Sequence, residues 1–545
     1  MVHGVVMTGL SSAISPTMPA ALIELQALLG HERCKLDLDT RRHYARSTSG
    51  HAAFPAGVVF PTSVKEVQRI VQQCAQAGMA LYPISGGRNW GYGDATAPTA
   101  GQVIMDFARM NRIVEVNGPL GYAVIEPGVT QGQLSDYLKE HHPDLWMDST
   151  GAGQGASLVG NALDRGFGHT RYGDHAGTFC GLEIVLGDGR ILKTGYLGYE
   201  NAQAARVYRY GVGPFLDGIF SQSNYGIITQ MGLWLCPKPE AFSAFFLMAE
   251  KPGDLPGIID RIAPLRMQGL LQSTIHIAND LRSISARRRY PWDLPGGKTP
   301  LPGEIRERLR KEIGIGAWNG AGAIYGNKAI VKATRKALSR ALGPYKVRYL
   351  DDSKLALAGR VQRFLAKFGG GKKLAELLEI IRPVYALLKG EPNDDALRGA
   401  TWRVRDPDPG VPIEPRDAHA GLLWISPVVP STGRHATEVM GILEPIFAEH
   451  GFELLVTFTM ITERAMCCVT NVAFDTRQAE EMAAAKRCYE AAMKALLAAG
   501  YVPYRSGPAG YEKLNEAGET FWYVARAIKG AMDPGGVIAP GRYGL

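Results

Sequence analysis

The chain has little cysteine: seven residues in 545, an odd number, with no two in a C-x-x-C arrangement. Disulfide frameworks and structural zinc sites need cysteines in regular, closely spaced pairs, so we predict neither a disulfide framework nor a metal site. The sequence also lacks any apolar run near the ~18 residues that span a bilayer. Its first residues have no positively charged segment ahead of the apolar ones. These absences favour a cytoplasmic protein without a membrane partner.

A large excess of positively or negatively charged residues is also missing. Lysine and arginine number 60 against 52 aspartate and glutamate residues, and no basic run is interleaved with aromatic residues. A nucleic-acid-binding surface is therefore not expected, whereas an anionic cofactor or substrate would account for part of the net charge of +8. The content of 46% hydrophobic and 21% charged residues is typical of globular proteins, and the length predicts two or three domains.

A glycine-rich stretch at residues 83–93 reads Pro-Ile-Ser-Gly-Gly-Arg-Asn-Trp-Gly-Tyr-Gly and follows a short predicted strand at residues 80–82. Such a loop can bring several backbone N–H groups around one anion, because no Cβ obstructs the approach. It is not a nucleotide P-loop, since no Gly-Lys-Ser/Thr follows, and it does not open a helix as G-x-G-x-x-G. Taken alone, the stretch is equally compatible with an ordinary glycine turn.

A second glycine-rich region covers residues 151–161 and continues through residues 165–175. Two strand-like runs follow, at residues 182–186 and 191–194, and the Gly-Asp-Gly between them predicts a β-hairpin. Two glycine loops flanked by strands can hold a long cofactor from two sides.

The composition changes after Pro237-Lys238-Pro239, where we place a domain boundary. Apolar periodicity beyond this point predicts several helices and at least two strands, an α+β pattern. Residues 372–388 form an amphipathic helix. A membrane-surface role is open for this helix, but packing on its own domain is favoured.

Residues 55–240 resemble the FAD-binding domain of the vanillyl-alcohol oxidase and p-cresol methylhydroxylase family. The resemblance is carried by five ordered motifs at residues 83–93, 125–130, 158–166, 172–175 and 220–229, and by a similar terminal signature at residues 533–542. It implies an α+β, two-domain flavoprotein with FAD as cofactor. Residues 1–240 and 499–545 would form the split FAD-binding domain, and residues 241–498 an α+β substrate cap. It also implies a homodimer.

The resemblance further implies which residues contact FAD. They comprise the first glycine loop, parts of the second region, one residue of the 220–229 motif and a basic residue near the flavin ring: Pro83, Ile84, Ser85, Gly86, Gly87, Arg88, Asn89, Ser157, Gly160, Asn161, Gly168, Tyr172, Gly173, Ile227 and Arg542.

In this family a para-substituted phenol is bound as phenolate and loses a hydride from its para side-chain carbon to flavin N5. The positions that match the family's phenolate-binding residues are Tyr92 and the adjacent pair Tyr504-Arg505. An arginine favours the ionised phenol, whose free pKa is ~10, and tyrosine hydroxyls add hydrogen bonds. Arg405 matches an arginine that contacts the active site in relatives, with a salt bridge inside the cap as the equal alternative.

The chain departs from the family at three places. Leu422 stands where several relatives attach FAD covalently, so we expect non-covalent FAD; His419 could form the link only if the alignment slips. Gly151 or Ala152 replaces the carboxylate base of the alcohol-oxidising branch, with Asp148 as the nearest substitute. The family's histidine on a later cap strand is replaced by Cys467 or Cys468, and one of these should face the substrate.

The resemblance therefore predicts an FAD-dependent oxidation of a para-substituted phenol, with oxygen or an electron-accepting cytochrome reoxidising the flavin. A flavin oxidase of a non-phenolic alcohol or lactone is the alternative enzyme, because a fold does not determine its substrate. A substrate-binding flavoprotein without turnover is the non-enzymatic alternative.

Overall fold

The computed structural model describes residues 20–294, 296–406 and 413–545, so residues 1–19 of the predicted FAD-binding segment lie outside the described residues. Between residues 20 and 240, the described part of this half contains six α-helices: α1 (Ala20–Leu29), α2 (Leu38–Tyr44), α3 (Val64–Gln76), α4 (Gln131–His141), α5 (Leu158–Leu163) and α6 (His175–Thr178). Its strands are β1 (Cys34–Lys35), β2 (Gly57–Val59), β3 (Leu81–Ile84), β4 (Val103–Asp106), β5 (Ile113–Asn117), β6 (Tyr122–Ile125), β7 (Leu145–Trp146), β8 (Phe179–Val185), β9 (Ile191–Lys193), β10 (Ile227–Trp234) and β11 (Cys236–Pro237).

A four-stranded sheet in the order β1-β2-β4-β3 carries the first glycine loop. Strands β2 and β3 both run parallel to β4, and α3 connects β2 to β3. Ser63 caps α3 by accepting a hydrogen bond from the backbone N–H of Glu66, three residues further along the chain. The glycine loop leaves the end of β3, as the sequence predicts, and thus lies at the carboxyl edge of the parallel strands.

A five-stranded antiparallel sheet in the order β5-β6-β10-β8-β9 forms the second layer. The predicted hairpin is confirmed, because β8 pairs with β9 and the backbone N–H of Leu186 donates to the carbonyl of Arg190 across the turn. The short α5, which lies within the second glycine-rich region, packs beneath this sheet through Leu158, Val159 and Ala162.

The cap sheet is antiparallel, in the order β15-β12-β14-β13-β18-β19-β16, with β17 paired to β19. Its strands are β12 (Ala241–Ala249), β13 (Ile275–Asn279), β14 (Trp318–Gly326), β15 (Lys346–Leu350), β16 (Ala420–Ile425), β17 (Val428–Pro430), β18 (Leu455–Met460) and β19 (Ala465–Asp475). Its helices are α7 (Leu255–Met267), α8 (Asp280–Ser285), α9 (Gly303–Ile313), α10 (Lys328–Ala341), α11 (Asp352–Ala366), α12 (Lys372–Leu387), α13 (Gly433–Glu449) and α14 (Ala479–Ala498).

One face of the cap sheet is covered by helices α7, α10, α13 and α14, which bury its main core. Helix α12 packs on the opposite face, where Ile381 and Tyr385 meet Ala244 and Tyr325. The amphipathic helix at residues 372–388 is therefore packed on its own domain, as the favoured alternative predicts. Within the described residues, no helix combines the length and apolar character needed to cross a membrane.

The chain returns to the first sheet through α15 (Tyr511–Asn515) and α16 (Glu519–Met532). The backbone N–H of Leu81 donates to Val537, and the N–H of Ala539 donates back to Leu81. These bonds hold the terminal segment beside β3, next to the glycine loop.

Candidate active site

A cavity of about 750 Å³ lies between the two glycine regions and the cap sheet. Most of the residues that the sequence predicts to contact FAD line it: Pro83, Ile84, Ser85, Gly86, Gly87, Arg88, Asn89, Ser157, Gly160, Asn161, Ile227 and Arg542. Tyr92, Tyr504 and Arg505 line the same cavity. Residues from both ends of the chain are thus brought to one place.

Three of the predicted FAD contacts, Gly168, Tyr172 and Gly173, are not in the cavity wall. Gly168 donates its N–H to the carbonyl of Gly173 at 2.9 Å, and its own carbonyl accepts the Thr274 hydroxyl at 2.6 Å. A Cβ on Gly168 would lie 2.4 Å from a carboxylate oxygen of Asp148. This segment therefore shapes the second glycine loop and docks it on the cap, and its contact with FAD stays a prediction.

The guanidinium of Arg505 lies 4.0 Å above the ring of Tyr92 and 5.2 Å from the ring of Tyr504. Burial alone would lower the pKa of Arg505, but the nearby phenol groups of Tyr504 and Tyr92 and the carboxylate of Asp164 raise it above its usual range. Burial raises the pKa of Tyr504 well above its usual value, so its hydroxyl keeps its proton. A permanent cation beside two tyrosine side chains can stabilise a bound oxygen anion.

Several buried polar atoms in the cavity wall lack a hydrogen-bond partner among the described residues. They include Nε of Arg505, Nε of Arg542, the side-chain oxygen of Asn224 and Nε1 of Trp90. Buried polar groups are normally satisfied, so this cluster fits a wall that faces a polar ligand. FAD would supply such partners, and the glycine loop leaves open space for it at Gly86, where an added Cβ would meet no protein atom within 4 Å.

Arg542 reaches the cavity from the terminal segment. Its Nη2 lies 2.5 Å from Oδ1 of Asp164, and its Nη1 donates to the Tyr82 hydroxyl at 3.4 Å. Asp164 also accepts a hydrogen bond from the side chain of Asn89 at 2.9 Å. The carboxylate of Asp164 thus holds a cation of the terminal segment against the first glycine loop, a contact that sequence reasoning did not identify.

Leu422 lines the cavity and is 2% exposed, packed in a cluster with Trp90. His419 is exposed, with a left-handed backbone angle φ of 59°, immediately before β16. The histidine therefore does not share the position of Leu422 in the cavity wall.

Arg405 does not reach the cavity. Its side chain is 45% exposed, stacks 3.9 Å above the Trp292 ring and lies 4.0 Å from Glu481. These contacts lie inside the cap, as the alternative prediction for Arg405 has them, so the predicted active-site role is not supported. Arg282 at the start of α8 lines the cavity instead, donating to Asn471 at 2.9 Å, and burial lowers its pKa to about 10.

The register of the cap sheet distinguishes the two adjacent cysteines. Cys468 belongs to the core on the helix-covered face. Cys467 points to the opposite face, which it shares with the cavity-lining residues Val469 and Asn471. The thiol of Cys467 donates to the carbonyl of Ser426 at 3.4 Å, and burial raises its pKa well above the usual value.

Gly151 and Ala152 line the cavity, whereas Asp148 does not. Burial alone would raise the pKa of Asp148. Its hydrogen bonds with His175 and with the backbone N–H groups of Thr170 and His169 instead lower it below the usual range. This carboxylate is already engaged at 2.9–3.1 Å in holding the loop, so it is not available as the substitute base.

Two histidines that sequence reasoning did not assign line the cavity: His169 of the second glycine region and His276 of β13. Burial lowers the pKa of both, so each imidazole is neutral at neutral pH. The alternation Ile275-His276-Ile277 marks His276 as the polar face of a strand, and this signal could have identified it.

The comparisons with known proteins agree with this architecture. Residues 55–195 match a model described as FAD binding domain, and residues 436–543 match one described as FAD linked oxidases, C-terminal domain. The chain is 34% identical to the 1'-carboxy-chondrochloren decarboxylase of Chondromyces crocatus, covering 96% of each chain. It is 30% identical to the 4-cresol dehydrogenase [hydroxylating] flavoprotein subunit of Pseudomonas putida, covering 96% of this chain and 95% of the relative.

Among solved structures, the 4-ethylphenol oxidase of Gulosibacter chungangensis in complex with isoeugenol superposes with a TM-score of 0.87 at 28% identity, covering 98% of each chain. The matched domains and the cavity lining identify FAD as the cofactor. The chain therefore belongs to the vanillyl-alcohol oxidase and p-cresol methylhydroxylase family of FAD-dependent oxidoreductases.

Proposed function

We propose that this protein oxidises a para-substituted phenol by removing a hydride from the para side-chain carbon. The observation that carries the proposal is the half-buried Arg505, whose guanidinium lies 4.0 Å from the centre of the Tyr92 ring and 5.2 Å from that of the Tyr504 ring. A free phenol, with a pKa of about 10, is almost wholly protonated at neutral pH, and hydride loss needs the electron density of the phenolate. The similarity to a 4-cresol dehydrogenase and to a 4-ethylphenol oxidase supports a phenolic substrate.

Arg505 would pair with the phenolate oxygen, and the hydroxyl of Tyr504, which burial keeps protonated, would donate a hydrogen bond to it. Tyr92 contacts Ser426, the two hydroxyl oxygens being 3.1 Å apart, and this contact orients its ring beneath the guanidinium. Bound FAD supplies the hydride acceptor. The glycine loop 83–89 would hold it, and Arg542, fixed by Asp164, would supply a positive charge at its side.

The remaining chemistry concerns a proton. Hydride loss from a 4-alkylphenolate leaves a neutral quinone methide, which either adds water or loses a proton from the neighbouring carbon. Gly151 and Ala152 offer no carboxylate to activate water, so we expect dehydrogenation, or oxidation of substrates that already carry oxygen or nitrogen, over hydroxylation. His276 lines the cavity, with Nδ1 3.1 Å from the Thr459 hydroxyl and Nε2 3.3 Å from the Thr274 hydroxyl, and its neutral imidazole would accept the departing proton in place of one of these hydrogen bonds.

A second reaction at the same site is an oxidative decarboxylation. It is favoured by the absence of a carboxylate base at Gly151 and Ala152 and by the decarboxylase among the relatives. If the substrate carries a carboxylate on the carbon next to the oxidised one, CO₂ can leave in place of a proton. The electron pair of the broken C–C bond forms the alkene and restores the phenolate, so this step requires no base from the protein.

The test is anaerobic mixing of the holoenzyme with 4-alkylphenols and, separately, with non-phenolic alcohols. Rapid bleaching of the flavin by the phenols supports the proposal. Bleaching by the alcohols alone would assign the alternative alcohol or lactone oxidase, and a spectral shift without bleaching would indicate binding without turnover. Returning oxygen or a cytochrome to the reduced enzyme then identifies the acceptor.

A further inference from the structure

The cap sheet presents two rows of side chains across six strands, and nearly all of them line the cavity. One row follows the register Cys467, Thr459, His276, Ala321, Phe246 and Arg348, and the next follows Val469, Thr457, Ala278, Asn319, Met248 and Lys346. Within the first row Cys467 alone is not part of the cavity wall. The cavity thus continues along the sheet, away from the phenolate-binding residues.

The rows are long relative to a simple phenol. They run from β19, beside Arg505, to the edge strand β15, which is five strand spacings or about 24 Å at ~4.8 Å each. All of these residues belong to the cap, whereas the predicted FAD contacts in the cavity wall belong to the first and last segments of the chain. The far part of the cavity is therefore available to the substrate rather than to the cofactor.

The middle of this far part is apolar, and its polar lining comes from Asn319 and, at the edge strand β15, from the exposed Lys346 and Arg348. Its floor contains Phe246 and Met248 together with the small residues Ala278 and Ala321, and its roof is one face of α12: Leu377, Ile380, Ile381 and Val384. The two alanines keep the floor low, since any larger side chain at these positions would project into the space beneath α12. We call this region the side arm, defined by these eight residues.

We propose that the side arm binds a long apolar substituent at the para position of the substrate, an inference that rests on the proposed function. Because it is continuous with the space at Tyr92 and Arg505, a chain attached to the phenol ring can enter it while the phenolate oxygen stays on the guanidinium. Transfer of each methylene from water into such a wall strengthens binding about three- to fourfold.

The test separates binding from turnover by using alkyl esters of 4-hydroxybenzoate, which have no hydride to lose at the para carbon. Dissociation constants for the ethyl and heptyl esters are measured on the holoenzyme from the shift of the flavin absorbance. We expect the heptyl ester to bind at least about tenfold more tightly. Ala321→Leu, which raises the floor, and Ile380→Phe, which lowers the roof, should each remove most of that difference while leaving the ethyl ester within about threefold.

Ala321→Ser is the matched control, because it changes polarity with little change in size, and it should keep the preference for the heptyl ester. Equal affinities for the two esters in the unmodified protein would overturn the inference. A loss of affinity in Ala321→Leu and Ile380→Phe that is equal for the ethyl and the heptyl ester would also overturn the inference. Failure of the proposed function is a separate result: 4-ethylphenol would not bleach the flavin, whatever the length dependence of ester binding.

Discussion

The imidazole rings of His169 and His276 stack with their centroids 4.2 Å apart and their planes 26° from parallel. His169 comes from the second glycine region and His276 from β13, so the pair joins the FAD-binding part to the cap. Nδ1 of His169 lies 2.9 Å from the carbonyl of Ser149, and Nδ1 of His276 lies 3.1 Å from the hydroxyl of Thr459. Burial lowers the pKa of both rings, and for His276 the neighbouring His169 lowers it further.

Replacing His276 with glutamine should slow the step that follows hydride loss. Glutamine keeps hydrogen-bonding capacity but cannot accept the proton, and loss of a general base typically reduces a rate ~10²–10⁴-fold. Flavin reduction in the stopped-flow should be nearly unchanged, whereas alkene formation measured by chromatography should fall. His169→Phe is the control, since it keeps an aromatic ring against His276. Unchanged alkene formation in His276→Gln would exclude the role.

The rate of that proton transfer should also depend on pH in a defined direction. The active form of His276 is the neutral imidazole, and its pKa lies well below the ordinary value of about 6.5. Activity should therefore stay constant as the pH falls through 6.5 and be lost only at lower pH. Among the groups that face His276, the neighbouring His169 and the cationic Arg266 lower its pKa, and the carboxylate of Asp148 raises it. Removing the ring of His169 should therefore raise the pKa of His276 and move the acidic loss of activity towards higher pH. In the unmodified protein, a loss of activity centred above pH 6.5 would contradict the assignment of His276 as the base.

Replacing Arg505 with alanine should slow flavin reduction at saturating phenol while FAD stays bound. Loss of a charged hydrogen bond in a buried site costs about 2–4 kcal/mol, or roughly 30- to 1000-fold in rate. Arg405→Ala is the matched control, because this arginine contacts Trp292 and Glu481 away from the cavity, and it should reduce flavin normally. If Arg505→Ala raises only the half-saturation concentration, the arginine binds the phenol without activating it.

Two glycines of the first loop should respond differently to alanine. At Gly91 a Cβ would lie 2.3 Å from the Trp424 ring, and its φ of +76° is strained for alanine, so Gly91→Ala should lower the thermal unfolding temperature of the apoprotein. At Gly86 an added Cβ meets no protein atom within 4 Å, so Gly86→Ala should fold normally and bind FAD more weakly. Equal FAD affinity in Gly86→Ala and the unmodified protein would show that this glycine does not face the cofactor.

FAD should leave the protein intact on denaturation, because Leu422 occupies the cavity wall where several relatives form a covalent link and His419 is exposed. Acid precipitation should give a colourless pellet and a yellow supernatant. A pellet that stays yellow after washing, with a flavin-bearing peptide in the mass spectrum, would disprove this. His169 and Cys467 would then be examined before the exposed His419.

Oxidation of 4-propylphenol in ¹⁸O-labelled water should yield mainly the alkene. Without a carboxylate at Gly151 or Ala152, the addition of water loses one source of acceleration. Asp148 cannot replace it, since its oxygens hold the backbone of His169 and Thr170. Labelled benzylic alcohol formed at least as fast as the alkene would contradict this prediction and would point to His276 as the base that activates water.

Much of the FAD-binding part could be predicted from local sequence. The capping pair Ser63 and Glu66, the Gly-Asp-Gly hairpin and the glycine loop at residues 83–93 each depend on neighbours within a few residues, and their geometry follows from backbone sterics. The family motifs carried the prediction further, to FAD and to Tyr92, Tyr504 and Arg505, which lie together in the cavity wall.

The cap was predicted less completely. Strand β14 reads Trp-Asn-Gly-Ala-Gly-Ala-Ile-Tyr-Gly, whose glycines and alanines have low strand propensity, and it forms because β12 and β13 pair with it on both sides. Ala321 of this strand also lowers the floor of the side arm. Its existence depends on register across six strands, which no local pattern contains.

What the sequence by itself determined was the set of chemical groups and the cofactor, because these follow from motifs read along the chain. Only the tertiary structure decided which of them meet. It excluded Arg405 and Asp148 from the cavity, placed Cys468 rather than Cys467 in the helix-covered core, and brought His169 onto His276. The physical reason is that these outcomes depend on the packing of strands and loops from separate segments of the chain, and no periodicity within one segment encodes such packing.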